Sequence, residues 1–174
     1  LYASLSTLGK IIFFGAGPIG SVMFPIVSQR HARGLTTKRI FLYSFFATAA
    51  ISLSILIVYL LFPRFAVNLL YGSAYLESAN LLVWFGIFIT LFTLSSLLIN
   101  FNLSLGRTKI VVLPFLAALA QIIAIWFNHP SLFIVIFISI LVTALLLVSL
   151  LIYSIYTKGD SDGDKTNIIN SSSL

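Results

Sequence analysis

Five long apolar runs, separated by short connectors, constrain this chain more than any other feature of its sequence. The runs cover residues 5–27, 40–62, 81–101, 110–127 and 131–156, so each is 18 to 26 residues long. A helix of about 20 residues matches the hydrocarbon thickness of a bilayer. In lipid a helix satisfies its own backbone hydrogen bonds, and the runs lack the alternation of polar residues typical of a barrel. The sequence predicts an all-α membrane protein with five transmembrane helices.

The composition agrees with that prediction. Hydrophobic residues make up 60% of the chain and charged residues 8%. A soluble domain of this size is closer to half apolar and a quarter charged, so this chain has too few polar side chains to cover a surface in water. The net charge of +6 does not indicate a nucleic-acid partner, because the positive charges lie in short connectors between apolar helices.

The distribution of Lys and Arg predicts the orientation in the membrane. The connectors at 29–39 and 103–109 are basic, whereas the connectors at 63–80 and 128–130 carry little or no positive charge. The basic residues are Arg30, Arg33, Lys38, Arg39, Arg107 and Lys109. Cytoplasmic connectors carry an excess of Lys and Arg. We therefore expect both basic connectors and the C-terminus in the cytoplasm.

Three segments lie outside the spans or at their margin. The tail at 157–174 is polar and is expected to be disordered, because it cannot bury enough apolar surface to fold. The segment at 63–78 is too short and too polar to span, and its Tyr71 and Tyr75 suit an amphipathic helix at the membrane interface. The chain starts at Leu1 on the predicted external side, so we expect it to be the C-terminal portion of a longer protein.

The first apolar run contains several residues that disturb helices. They are Gly15, Gly17, Pro18, Gly20 and Pro25. Proline removes a helix hydrogen bond, and broken helices of this kind often mark transport pathways. The alternative interpretation is a kinked helix whose small residues pack closely against its neighbours. Under the first interpretation these five residues have a conformational role.

Lys10 is the clearly intramembrane charge, about a third of the way in from the external side by the rise of a helix. An ionisable group at that depth faces a polar cavity, pairs with a partner or snorkels to the interface. In a cavity Lys10 would bind an anionic group such as a phosphate. Gln121, in the middle of the fourth run, is the second candidate for substrate binding. The alternative for Gln121, which we favour, is a hydrogen bond to a neighbouring helix.

The sequence contains no Ser/His/Asp set, no carboxylate pair and no phosphate-binding loop. The chain has no cysteine, which excludes thiolate metal sites and a thiol nucleophile. His31 and His129 have no acidic residue or second histidine at ligand spacing. We therefore expect neither an enzyme nor a metal or cofactor site in this chain.

Three stretches resemble one family of membrane transporters. Residues 2–29, YASLSTLGKIIFFGAGPIGSVMFPIVSQ, resemble the helix of polysaccharide flippases that ends in a "vlfP.is" pattern. Residues 63–82, with Leu70-Tyr71-Gly72 and Tyr75, are similar to their "llfG..Y" element, and Leu105-Gly106-Arg107 is similar to their "Gr.k" connector. These stretches follow one another in the family's order between residues 2 and 107. The family is the polysaccharide biosynthesis and O-antigen flippases of the multidrug/oligosaccharidyl-lipid/polysaccharide superfamily.

The resemblance implies a fold and a function. Members have two pseudo-symmetric lobes and move lipid-linked oligosaccharides across the cytoplasmic membrane by alternating access, so the resemblance implies that this protein lies in the cytoplasmic (inner) membrane. The five helices would form most of the C-terminal lobe of a two-lobed, MATE-like bundle, with a lipid-linked glycan, membrane lipids and preceding helices of the same protein as partners. Two alternatives remain open: a drug/cation antiporter of the same superfamily, and a membrane glycan polymerase or acyltransferase. Many such antiporters use intramembrane acidic residues, and this chain has none within its apolar runs.

Overall fold

A computed structural model describes the backbone of residues 2–71, 79–127 and 131–171, and the side chains of residues 7–68, 81–127 and 131–155. Within these ranges the chain forms helices and no strand. Five of the helices are long and apolar enough to cross a membrane. The predicted all-α architecture with five helices of membrane-spanning length is therefore confirmed, and it indicates a multi-pass membrane protein.

The helices follow one another with short connections. They are α1 (Tyr2–Ala32), α2 (Lys38–Leu61), α3 (Pro63–Tyr71), α4 (Ala79–Ser104), a short 3-10 helix (Thr108–Val111), α5 (Val112–Phe127) and α6 (Leu132–Ser171). α4 lies at the centre of the packing and contacts α1, α2, α3 and α6, whereas α5 packs on α6 and on the 3-10 helix.

Two glycines end the helices that lead into the basic connectors. Gly34 and Gly106 have positive φ angles of 69° and 74°, a conformation that costs glycine little. After α1, the N–H of Leu35 donates to the carbonyl of Arg30 at 2.9 Å. After α4, the N–H of Arg107 donates to the carbonyl of Asn102 at 3.0 Å. Both are the hydrogen bonds of a Schellman motif, which satisfies the last carbonyls of a helix.

α3 covers one end of the bundle. Its Ala66 and Val67 are buried in a cluster with Leu8, Leu82 and Phe85, while Phe65 points outward with 62% of its surface exposed. A short helix with one buried face and one outward apolar side chain suits the predicted interfacial segment. The location at an interface stays a prediction, and residues 72–78 lie outside the described residues.

The backbone of α6 continues past the predicted end of the fifth span at residue 156 and is helical to Ser171. Extending a helix that already exists needs no new nucleation step, which gives this continuation a physical reason. The side chains beyond residue 155 lie outside the described part of the chain. The expected disorder of the isolated polar segment 157–174 in water stays a prediction.

The core of the bundle is divided into clusters along its length. One cluster, around Leu8, Ile12 and Phe85, joins α1, α2, α3, α4 and α6 near the start of α1. A second, around Met23, Val27 and Phe101, joins α1, α2 and α4 near the end of α1. The glycine- and proline-rich middle of α1 lies between these two apolar clusters, and its packing differs from that of the two ends of the helix.

Candidate functional site

α1 is one continuous helix, although it contains Pro18 and Pro25. The broken helix considered from the sequence is therefore not the conformation observed. Each proline lacks an N–H, so the carbonyl four residues earlier loses the hydrogen-bond donor that it normally has in a helix. The two carbonyls concerned belong to Phe14 and Ser21. α1 thus keeps its helical path but has two carbonyl oxygens without their usual helical donor.

A cavity of about 500 Å³ lies beside this part of α1, between α1, α2 and α4. Gly17, Pro18 and Gly20 form part of its wall. An added Cβ at Gly17 would meet no heavy atom within 4 Å, so Gly17 faces open space. An added Cβ at Gly20 would lie 3.5 Å from Nδ2 of Asn100, in ordinary contact. Three of the five residues with a predicted conformational role therefore surround one cavity.

The other two residues lie elsewhere on α1. An added Cβ at Gly15 would lie 3.4 Å from Cδ1 of Ile55, so Gly15 packs against α2. Pro25 is exposed and is not part of the cavity wall. The second interpretation of the first run, small residues at a packing interface, therefore describes Gly15.

The polar lining of the cavity comes from three helices. It consists of Ser21 on α1, Thr48 on α2, and Thr93, Ser96 and Asn100 on α4. Thr93 donates its hydroxyl hydrogen to the carbonyl of Ile89 at 2.7 Å, which leaves the hydroxyl oxygen able to accept. Phe13 and Phe14 add aromatic surface. The lining is therefore uncharged and mostly apolar, with a few hydroxyl and amide groups among the apolar and aromatic side chains.

Two hydroxyls on α2 are buried without partners. Thr48 is 1% exposed and Ser52 is 0% exposed, and within the described structure neither side-chain oxygen has a hydrogen-bond partner. They are four residues apart and so lie on the same face of α2. A buried hydroxyl without a partner costs free energy. The sequence reasoning did not single these residues out, because hydroxyl residues are common in membrane helices and the sequence does not show which of them lack a partner.

Lys10 lies on the same face of α1 as the cavity wall. Residues 10, 14, 17 and 21 share one face of a helix, and Phe14, Gly17 and Ser21 line the cavity. Lys10 is exposed and lies about 10 Å from Gly17 along the helix axis. All four acidic residues of the chain, at 77, 160, 162 and 164, lie outside the described side chains. Among the described side chains, Lys10 therefore has no carboxylate partner.

Gln121 is not part of this cavity. Its Nε2 donates a hydrogen bond of 2.9 Å to Oγ of Ser139, which joins α5 to α6. Oγ of Ser139 donates in turn to the carbonyl of Val135 at 2.8 Å. This bond is the interhelical contact that was favoured from the sequence. Gly17, Pro18 and Gly20 therefore line one cavity, Lys10 lies about two turns before Gly17 and outside the cavity wall, and Gln121 lies on a different pair of helices.

Close contacts hold α1, α2 and α4 together near residues 8 and 9, before the part of α1 that lines the cavity. Tyr59 donates its hydroxyl to the carbonyl of Leu8 at 2.7 Å, which joins α2 to α1. An added Cβ at Gly9 would collide with the ring of Phe85, and one at Gly86 would lie 2.8 Å from Cδ1 of Leu56. Sequence reasoning missed Gly9 and Gly86, because a glycine in an apolar run does not identify the side chain that will approach it.

Comparisons with protein-family models, with curated proteins and with solved structures gave no match to this chain. The resemblance to polysaccharide flippases therefore stays an expectation from the residues quoted for it. Among the described residues no group of three or more His, Asp or Glu side chains could hold a metal ion.

Proposed function

We propose that this chain is part of a flippase that moves lipid-linked oligosaccharides or polysaccharide precursors across the cytoplasmic membrane by alternating access. The supporting observation is a cavity in a bundle of membrane-spanning length, with an exposed lysine on the same helix face. A lipid-linked glycan has an anionic phosphate group and an uncharged, hydroxyl-rich part. Lys10 offers a cation for the first, and the partly exposed Ser96 and Asn100 in the cavity wall offer uncharged polar groups for the second.

In this proposal the five long helices form most of the C-terminal lobe of a MATE-like transporter, with the C-terminus in the cytoplasm. The proline-containing helix α1 is the element that changes between inward-open and outward-open states. The two carbonyls without helical donors lower the cost of bending α1, because fewer hydrogen bonds are broken when it bends.

A drug/cation antiporter is the less favoured alternative. Antiporters that couple transport to a cation commonly use acidic side chains, and charged residues inside a membrane are usually functional. The acidic residues of this chain are at 77, 160, 162 and 164, outside the long apolar runs. The position of the acidic residues therefore favours the flippase over a cation-coupled antiporter.

The function can be tested in the cell that produces this chain. Deletion of its coding sequence is expected to abolish the corresponding surface glycan and to cause its lipid-linked precursor to accumulate in the membrane. Mass spectrometry of extracted lipids would quantify the precursor, and a plasmid copy of the gene should restore export. Unchanged surface glycan together with a normal precursor level in the deletion strain would refute the proposed function.

A further inference from the structure

An apolar groove with a volume of about 340 Å³ lies between α1 and α2. Met23 is buried at its floor, whereas Val22 and Ile26 are exposed at its open side. The remaining lining residues are Pro18, Ile19, Ile40 and Ser44. Apart from the hydroxyl of Ser44, the side chains of this α1–α2 groove are apolar.

The α1–α2 groove has the length of a lipid chain. Pro18 and Ile26, which line it, are eight residues apart in the sequence, and eight residues of helix rise by about 12 Å. The hydrocarbon of a bilayer is about 30 Å thick, so one leaflet contributes about 15 Å. An acyl chain of one leaflet therefore matches the groove in length and in polarity.

One end of the groove lies at the basic connector between α1 and α2. Arg30 follows Ile26 by four residues, so it lies on the same face of α1 and about 6 Å further along the axis. On α2, Arg39 directly precedes Ile40. The N–H of Leu35 donates to the carbonyl of Arg30 at 2.9 Å, so the connector folds back over the end of α1. Two exposed arginines therefore lie at the same end of the groove.

The charge at this end selects among possible occupants. None of the described side chains is acidic, so no described carboxylate neutralises Arg30 or Arg39. An apolar helix of another protein or of a second copy would cover the lining but would give the arginines no anionic partner. Arginine binds phosphate groups with two parallel hydrogen bonds, and basic pockets between transmembrane helices bind anionic lipid head groups. An anionic phospholipid is thus the occupant that satisfies both the lining and the charge.

We propose that the α1–α2 groove binds one acyl chain of an anionic phospholipid, and that Arg30 and Arg39 bind its head group. The rule that cytoplasmic connectors are basic accounts for arginines in this connector, but it does not require an apolar groove beside them. The proposal goes beyond the proposed function, because it concerns a lipid that stays bound to the protein and not the lipid that is moved.

The test measures lipid binding to the full chain, purified in detergent and stripped of lipid, by native mass spectrometry. The two probes are dioleoyl phosphatidylglycerol and dioleoyl phosphatidylcholine, which have the same acyl chains and differ in the net charge of the head group. Phosphatidylglycerol is expected to bind at least tenfold more tightly, a difference of about 1.4 kcal/mol or more.

Two double variants test the head-group contacts. Arg30→Gln/Arg39→Gln is expected to reduce the advantage of phosphatidylglycerol to less than threefold. Arg64→Gln/Lys109→Gln is the matched control, because it also removes two positive charges from exposed side chains, and neither residue lines the groove. The control should keep the tenfold advantage.

A second pair of variants tests the groove itself. Ile26→Trp places a larger side chain in the groove and is expected to weaken the binding of phosphatidylglycerol at least fivefold. Phe24→Trp is the control, because Phe24 is exposed on α1 but is not part of the groove lining. Its affinity for phosphatidylglycerol should equal that of wild type.

Several outcomes would overturn the proposal. Equal binding of the two phospholipids to wild type, binding of neither, or the same loss in both double variants would show that the groove and its arginines do not select an anionic lipid. Unchanged binding to Ile26→Trp protein of normal thermal stability would place the lipid elsewhere. A long-chain prenyl phosphate that binds tenfold more tightly than phosphatidylglycerol would assign the groove to the transported lipid instead. Each of these failures leaves the proposed function standing, because that function is judged by glycan export in the deletion strain.

Discussion

Replacing Thr48 measures the cost of one buried hydroxyl that has no hydrogen-bond partner. Its hydroxyl is buried without a partner in the described structure, which costs roughly 1–3 kcal/mol compared with a satisfied group. Valine has almost the same shape and no polar atom. We therefore expect Thr48→Val to preserve or raise the free energy of unfolding, by up to about 1 kcal/mol, as measured by thermal unfolding in nanodiscs.

Thr90 is the matched control for that measurement. It is also buried, but its hydroxyl donates to the carbonyl of Gly86 at 2.9 Å. Thr90→Val loses this bond and should be destabilised by about 0.5–1.5 kcal/mol. Equal destabilisation of the two variants would mean that the Thr48 hydroxyl is satisfied in the membrane, for example by a tightly bound water.

A second prediction at the level of a single side chain concerns Lys10. If it faces a water-filled cavity, a cysteine at position 10 should react with a membrane-impermeant thiol reagent. The chain has no cysteine of its own, so labelling reports on position 10 alone. Leu145→Cys is the control, because Leu145 is 61% exposed in a long apolar helix and should face lipid, where thiolates do not form. Labelling of position 10 no faster than position 145 would contradict a cavity location.

At the scale of a helix, a proline inside α1 removes a hydrogen bond, whereas a proline at the start of a helix does not. Pro18→Ala restores an N–H donor to the carbonyl of Phe14 and should stiffen α1. We expect glycan export to fall by at least fivefold while the amount of protein in the membrane stays the same. Export is measured as surface glycan and the amount of protein by quantitative immunoblotting.

Pro63→Ala is the control for that experiment. Pro63 is the first residue of α3, where an N–H has no helical acceptor in any case. Its replacement should therefore leave export and abundance close to wild type. If Pro18→Ala behaves in the same way, α1 does not depend on proline for its conformational change.

The helices could be predicted from the sequence more completely than the contacts between them. Apolar length locates the spans, but the predicted run at 81–101 stops with its last apolar residue, whereas α4 continues to Ser104. The difference arises because the helix is ended by Gly106, which has a positive φ angle, and not by the change in polarity.

Only part of the candidate site could be predicted, because the sequence does not show which side chains of neighbouring helices meet. Lys10, Gly17, Pro18 and Gly20 are unusual within an apolar run and could be found from the sequence. Thr48 could not, because its burial beside α1 and α4 depends on how α2 packs. Hydroxyl residues are common in membrane helices and bond to their own backbone, as Ser54 does to Ala50 at 2.7 Å. The sequence alone does not separate these two kinds of hydroxyl.

For the whole molecule, the distribution of charge predicts one orientation. Both basic connectors leave their helices through the same turn geometry, after Gly34 and after Gly106. With five crossings, the C-terminus should share their side of the membrane. We expect a C-terminal green fluorescent protein fusion to fluoresce in a bacterial host and a C-terminal alkaline phosphatase fusion to be inactive. The reverse pair of results would invert the proposed topology.

The hydrogen bond between Gln121 and Ser139 has a consequence for how the protein assembles. α5 has no buried residue and packs on α6 and the 3-10 helix, while α6 also contacts α4. An interhelical hydrogen bond of this kind is worth about 1 kcal/mol in a membrane, so we expect it to favour one rotation of α5 against α6 when the two helices meet. The last two spans would then enter the bilayer as a preformed hairpin, which docks onto the completed α1–α4 unit through α6.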